Sequence, residues 1–139
     1  MIRFETARFH VDSGPSELFE RVRQKMTGRR TLRLHATHFA QRATERAAPR
    51  EQLAAFDSEA WELLTVEVRT DTARFVNSGW RLVVDGQTWW VVIGLHDTVE
   101  TAYLGTKRGD GPAVVTCGAL FDRVRAVNAA LLRQQTQTE

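Results

Sequence analysis

The segment from residue 32 to residue 49, LRLHATHFAQRATERAAP, contains the side chains best suited to chemistry. Because successive residues of an α-helix are separated by about 100°, His38, Arg42 and Arg46 form one polar stripe if the segment is helical. An imidazole can transfer protons near neutral pH, and guanidinium groups provide donors for phosphate. The stripe therefore predicts acid–base chemistry beside an anion; the alternative is an ordinary solvated helix face.

A second group of candidates lies near the end of the predicted sheet. Strict alternation in VETAYLG, residues 99–105, places Val99, Thr101 and Tyr103 on one face. Thr101 and Tyr103 could then contact the same ligand, although Tyr103 could equally be a half-buried sheet residue. Three further residues are candidates for substrate binding: His35, which lies three positions before His38, and Lys107 and Arg108 in the loop that follows the strand.

Several kinds of site are excluded by the motifs. The chain has no HExxH pattern, and its histidine and carboxylate spacings match no metal site. It also lacks a P-loop and a GxSxG elbow. The single cysteine, Cys117, lies in the apolar stretch AVVTCGAL, which favours a buried small hydrophobe over a nucleophile. We therefore expect no metal and no cofactor.

The charge of the chain is unevenly distributed. The net charge is only +2, but residues 21–50 contain nine arginines or lysines and one acid, a charge of +8. The rest of the chain therefore carries −6. This local excess predicts a polyanionic partner.

Length and composition set the class of protein. A chain of 139 residues that is 42% apolar and 26% charged is typical of a single globular domain, expected here over residues 1–139. No apolar run is long enough to span a membrane, and the N-terminus does not resemble a secretory signal. One cysteine excludes an internal disulfide framework. We expect a cytoplasmic protein with no membrane partner.

The elements that would position these candidates begin with a strand over 2–11, which places Ile2, Phe4 and Thr6 on one face. Amphipathic spacing predicts a helix from Ser16 to about Gly28, then a loop or small strand over 29–34. A second helix is expected over 38–47, and a short one over 50–56 would carry Leu53 and Phe56 inward.

The second half of the chain changes to a period of two. Alternation over 61–69 and 80–84, an apolar run over 89–95 and a last strand over 99–104 predict an antiparallel meander, with Leu64, Val66 and Val68 on one face of its first strand. Asp85-Gly86 predicts a hairpin between the strands on either side of it. A final helix is expected over 119–133, with a frayed tail over 134–139. The fold class is α+β, with helices packed on one face of a three- to five-stranded antiparallel sheet.

The pattern HFAQRATER, followed by the meander and by the strand ending ETAYLGTK, resembles the small BECR-type domains. These domains are the group that joins barnase, EndoU, the nuclease colicins and RelE. The similarity covers residues 35–108 and rests on His38, Arg42, Arg46, Thr101 and Tyr103. It departs from the family at the second arginine, which follows the first by four residues rather than three, and Ala47 stands where a glycine is expected. The resemblance implies a RelE/barnase-like fold with an added strand and helix over 1–30 and an added C-terminal helix over 118–133.

The resemblance also implies a function, toxin-type RNA cleavage without a metal. In such enzymes the ribose 2′-OH attacks the adjacent phosphate, giving a 2′,3′-cyclic phosphate. His38 would act as base or acid, Arg42 would stabilise the phosphate, and Tyr103 or Thr101 would hold it or carry the second proton. Arg46 and Lys107 would contact the backbone. The partners implied are RNA (tRNA or mRNA) and a cognate antitoxin or immunity protein.

Two alternatives remain open from the residues. One is a non-catalytic nucleic-acid-binding module, or a partner protein of a toxin system, that uses the same shape. The other is an interaction domain whose basic helix face contacts an acidic protein. Unrelated functions occur on one fold, so the resemblance alone does not decide among them.

Overall fold

The computed structural model describes residues 5–34, 49–104 and 117–138. His38, Arg42 and the rest of the predicted helix over 38–47 lie outside these ranges. The described strands and helices follow one another in the order β1 (Thr6–His10), α1 (Ser16–Lys25), β2 (Arg29–Thr31), β3 (Arg33–Leu34), α2 (Arg50–Ala54), β4 (Ala55–Asp57), β5 (Glu62–Arg69), β6 (Phe75–Val84), β7 (Gln87–Ile93), β8 (Thr98–Leu104) and α3 (Cys117–Thr138).

A six-stranded sheet with the order β1-β5-β6-β7-β8-β3 organises the fold. The meander β5 to β8 is antiparallel, as predicted, and β1 pairs antiparallel with β5. The predicted three to five strands are too few, because β3 joins the other edge and lies parallel to β8. A two-residue strand has no readable alternation, so its pairing could not be anticipated. The class is α+β, and β2 and β4 form a separate two-stranded sheet.

One face of the large sheet forms the hydrophobic core with α1 and α3. Leu18, Phe19 and Val22 of α1 are buried, as the amphipathic spacing predicted, and Val127 and Ala130 of α3 join the same cluster. The ring of Phe56 contacts two tryptophans edge-on, Trp61 at 5.1 Å and Trp80 at 5.0 Å between centroids. The predicted inward positions of Leu53 and Phe56 are confirmed, but Phe56 belongs to β4 rather than to a helix.

Two irregularities in pairing change which residues face the core. In β5 the register shifts between Leu63 and Thr65, so Leu63 is buried, and Leu64, which was predicted to share the face of Val66 and Val68, is only half-buried. Between β7 and β8 the register shifts so that Val99 pairs with Ile93. Val99 therefore lies on the core face, and its predicted place beside Thr101 is wrong. A β-bulge inverts alternation in this way and gives no periodic signal.

The ends of several elements differ from the predictions. The helix α1 ends at Lys25, close to the predicted end, and Gly28 follows with a φ of 92°. The predicted hairpin at Asp85-Gly86 is confirmed, since both residues have positive φ, as a type I′ turn requires. The helix α3 does not fray at Gln134 but continues to Thr138, and the Gln134 side chain donates a hydrogen bond to the carbonyl of Thr72. None of the described helices is long and apolar enough to cross a membrane.

Candidate functional site

The face of the large sheet opposite the core is rich in polar side chains and is here called the polar face. Cross-strand pairing from β1 to β8 places every second residue of each strand on it. Its members are Thr6, Arg8, His10, Glu62, Thr65, Glu67, Arg69, Asn77, Gly79, Arg81, Val83, Thr88, Trp90, Val92, Thr101 and Tyr103.

Thr101 and Tyr103 share the polar face, which confirms that part of the sequence prediction. Tyr103 lies directly opposite Trp90 on β7, and Thr101 lies opposite Val92. The hydroxyl of Thr101 and the Nε1 of Trp90 are both buried, and neither has a hydrogen-bond partner among the described residues. Buried polar atoms are nearly always satisfied in folded proteins. The Nε1–H of Trp90 and the hydroxyl of Thr101 can therefore form hydrogen bonds with a group outside the described residues.

Gly79 explains how Trp90 is held in place. A Cβ built on Gly79 would lie 2.9 Å from Nε1 of Trp90 and would also collide with the Thr65 hydroxyl. The indole therefore rests over the glycine backbone of the neighbouring strand. Trp89, the preceding residue on β7, is buried in the core, so the two tryptophans point to opposite faces, because successive side chains of a strand alternate.

A carboxylate with several donors occupies the other end of the polar face. Oε1 of Glu67 accepts hydrogen bonds from Nη2 of Arg8 and Nδ2 of Asn77, each at 2.8 Å. Oε2 accepts one from the Thr6 hydroxyl at 2.8 Å. Burial by itself would raise the pKa of Glu67, but these hydrogen bonds and the charge of Arg8 together outweigh it and lower that pKa. Glu67 is thus held as an anion, and it fixes the direction of the Arg8 guanidinium.

His10 lies two residues beyond Arg8 on the same face of β1. Its Nδ1 accepts a hydrogen bond from the backbone amide of Asp12 at 3.2 Å. A neutral imidazole in this position carries its hydrogen on Nε2. This part of the polar face thus combines three functional groups: the guanidinium of Arg8, the imidazole of His10 and the carboxylate of Glu67.

The two ends of the polar face are well separated. A continuous row of paired residues runs His10–Thr65–Gly79–Val92–Thr101 across five strands. With strands about 4.8 Å apart, His10 and Thr101 are about 19 Å from each other. One small ligand cannot contact both residues, but several linked nucleotides could.

Most of the predicted site residues are not among those that the structure describes. His35, His38, Arg42, Arg46, Lys107 and Arg108 lie outside the described residues, so their convergence with Tyr103 stays a prediction. In the parts of the chain that are described, no group of three or more His, Cys, Asp or Glu side chains could hold a metal ion.

The sequence analysis missed Arg8 and His10. Their shared face could have been found, because Ala7 and Phe9 alternate with them in the strand. The structure puts Thr6 on the polar face. Its predicted common face with Ile2 and Phe4 stays a prediction, because residues 1–4 lie outside the described ranges. The contact with Glu67 joins strands 59 positions apart and has no local signal.

Comparison of the chain with protein-family models, characterised proteins and solved structures found no match.

Proposed function

We propose that this protein is a metal-independent endoribonuclease of toxin type that binds RNA along the polar face. The observation that carries this proposal is the grouping of Thr101, Tyr103 and Trp90 on adjacent strands. Aromatic side chains stack on unpaired bases, and hydroxyl and indole donors suit phosphate and sugar oxygens. Together these are the contacts that single-stranded RNA requires.

The charge distribution supports a polyanionic ligand. Residues 21–50 carry +8 within a chain of net charge +2. On the polar face itself, Arg8 supplies a guanidinium whose charge is paired with Glu67. Phosphate contacts supply most of the affinity of such interfaces, and stacking on aromatic side chains adds to it. A single strand that crosses from Tyr103 towards Arg8 would use both kinds of contact.

The chemistry proposed is attack of a ribose 2′-OH on the adjacent phosphate. It needs a base, an acid for the departing 5′-oxygen, and cations near the developing charge. In this proposal His38 serves as base or acid, Arg42 stabilises the phosphate, and Tyr103 or Thr101 holds the phosphate or carries the second proton. His35, Arg46, Lys107 and Arg108 bind the substrate.

A non-catalytic nucleic-acid-binding module of the same fold is the second candidate. One observation favours it: the described imidazole on the polar face, His10, lies about 19 Å from Thr101 by strand spacing. If His38 does not approach Tyr103, this face binds RNA without cutting it.

An RNA cleavage assay in EDTA separates the two functions. The wild type should cleave total RNA or tRNA to ends bearing a 2′,3′-cyclic phosphate. His38→Ala and Arg42→Ala should each lower the rate by about a hundredfold or more, as loss of a general acid–base group or a phosphate donor does. Intact RNA that still binds in a salt-dependent manner would establish the binding module instead. No binding at moderate salt would reject both.

Far-ultraviolet circular dichroism of each variant should match the wild type, so that lost activity is not lost folding. Tyr103→Phe is the informative companion, because it keeps the ring for stacking and removes only the hydroxyl. Slower cleavage by this variant with unchanged RNA affinity would assign the hydroxyl to the chemistry. Weaker affinity with unchanged cleavage at saturation would assign it to binding.

A further inference from the structure

A cavity of about 320 Å³ lies at one end of the sheet, separate from the Trp90–Tyr103 region. The C-terminal end of α1, the start of β6 and the turn between β7 and β8 surround it. Its volume is at the lower end of the range for small-molecule sites, so it suits a ligand with a single ring. Its lining is half apolar and half polar; the apolar part includes Val22, Met26, Phe75 and Ile93.

The charged side chains of this cavity are mainly cationic. Lys25 and Arg30 both line it, and Asp97 is the acid among the lining residues. Arg30 Nη1 lies 3.3 Å from each carboxylate oxygen of Asp97, which is longer than a strong charged hydrogen bond. Lys25 forms no ion pair with any carboxylate of the described chain; its Nζ lies 5.5 Å from the centroid of the Phe75 ring. The cavity therefore keeps an excess of positive charge.

The Arg30 guanidinium is fixed in direction but incompletely satisfied. Its Nη2 donates to the carbonyl of Lys25 at 2.9 Å, and its Nε is buried with no hydrogen-bond partner among the described residues. A second guanidinium, that of Arg21, lies 5.0 Å from the centroid of Phe75, and burial lowers its pKa. Arg21 and Lys25 thus both lie near the Phe75 ring. Lys25 and Arg30 line the cavity, where an anion would compensate their charge.

The backbone of the turn that closes the cavity is strained. His96 and Asp97 are consecutive non-glycine residues with φ values of 59° and 53°. Side chains disfavour this left-handed region, and such residues concentrate at ligand sites. The strained conformation places Asp97 against Arg30 and His96 on the rim of the cavity.

We propose that this cavity binds a small organic anion with one apolar ring. The anionic group, a phosphate monoester or a carboxylate, lies between Lys25 and Arg30, and the ring packs against Phe75, Val22 and Met26. The inference rests on Lys25 and Arg30, which belong to the basic segment 21–50 but are not among the proposed catalytic or substrate-binding residues. It therefore stands whether or not the protein cleaves RNA.

The test is an NMR titration of ¹⁵N-labelled protein with four probes: phenyl phosphate, phenylacetate, phenol and inorganic phosphate. Phenyl phosphate should shift the backbone amides of Val76, Gly94 and His96 in a saturable way at concentrations up to about 10 mM. Phenol has the ring but not the anionic group, and inorganic phosphate has the anionic group but not the ring. Each should bind at least about tenfold more weakly than phenyl phosphate. Phenylacetate that binds as tightly as phenyl phosphate would extend the class to carboxylates, and weaker binding would restrict it to phosphates.

Lys25→Gln should weaken phenyl phosphate binding about tenfold, since it removes one charged contact to the anion. Arg23→Gln is the matched control: it removes a cation from the same helix, but Arg23 does not line the cavity. Both residues are exposed, so the variants should fold normally. The proposal is overturned if phenol binds as tightly as phenyl phosphate, if Lys25→Gln and Arg23→Gln behave alike, or if no probe shifts these amides.

Discussion

The indole of Trp90 lies over the backbone of Gly79 on the neighbouring strand, where a Cβ would come within 2.9 Å of Nε1. The Thr65 hydroxyl approaches the same point from the other side. The absence of a side chain at Gly79 thus leaves room for the indole of Trp90 above the neighbouring strand. The position of Trp90, and with it the surface next to Tyr103, depends on the missing side chain.

Gly79→Ala should therefore destabilise the protein and displace Trp90. Forcing a methyl group into a filled space costs about 1–3 kcal/mol, and the indole must leave its position over β6. Urea unfolding gives the free energy, and the fluorescence of the protein reports the tryptophan environment. Gly118→Ala is the control, because no atom of the described residues lies within 4 Å of a Cβ there and the residue is helical. It should be neutral or stabilising by up to about 1 kcal/mol. Equal effects of the two substitutions would contradict the packing described here.

The second prediction concerns Glu67. Its pKa is lowered in the folded protein, since its hydrogen bonds and Arg8 outweigh the opposing effect of burial. The stabilisation is therefore complete above its unfolded pKa of about 4.3 and is lost as the pH falls through the lower folded value. Glu67→Gln should cost about 2 kcal/mol at pH 7, and the difference from wild type should shrink below about pH 4.

Urea unfolding at pH 7 and at pH 3 measures this effect. Glu20→Gln is the comparison, because Glu20 also accepts from an arginine, at 2.9 Å from Arg23, but on the exposed side of α1. An exposed pair of this kind contributes about 0–1 kcal/mol. A Glu67→Gln penalty that is the same at both pH values would show that the ionised carboxylate is not the source of the stability.

Features of this fold that are set by residues close together in the chain could be predicted from the sequence, whereas features set by contacts between distant segments could not. The period of α1, the Asp85-Gly86 hairpin and the four strands of the meander are local patterns, and all were predicted. The pairing of β3 with β8 and the bulge that moves Val99 to the core depend on contacts between distant segments. Such contacts add no periodic signal to either segment.

The same distinction applies to the candidate site. The common face of Thr101 and Tyr103 follows from alternation within one strand, and it was predicted correctly. The contact of Arg8 with Glu67 and the meeting of Lys25, Arg30 and Asp97 were not foreseen, because each joins residues from separate elements. Charge counting did locate the basic segment that contributes Lys25 and Arg30 to the cavity.

The third prediction tests whether α3 is part of the core. Val127 is fully buried in the cluster that also contains residues of β1 and β5. Val127→Ala should lower the free energy of unfolding by about 2 kcal/mol, because it removes buried methyl groups and leaves a cavity. Val83→Ala is the control, since Val83 is 59% exposed, and it should change stability by less than about 0.5 kcal/mol. A negligible effect at Val127 would mean that α3 is not docked as described.

The last prediction separates stability from function at Thr101. Its hydroxyl is buried without a partner in the described part of the chain, a condition that costs free energy in the folded state. Thr101→Val keeps the shape of the side chain and removes that hydroxyl, so the protein should be equally stable or more stable by about 1 kcal/mol. If the hydroxyl serves RNA, the same variant should lose about tenfold in RNA affinity or cleavage rate, measured by fluorescence anisotropy and by the EDTA assay. Thr31→Val, at an exposed position in β2 of the separate two-stranded sheet, is the control and should change neither quantity. If Thr101→Val binds and cleaves RNA as the wild type does, the hydroxyl has no role in the proposed function. Thr101 would then not be a residue of the RNA site.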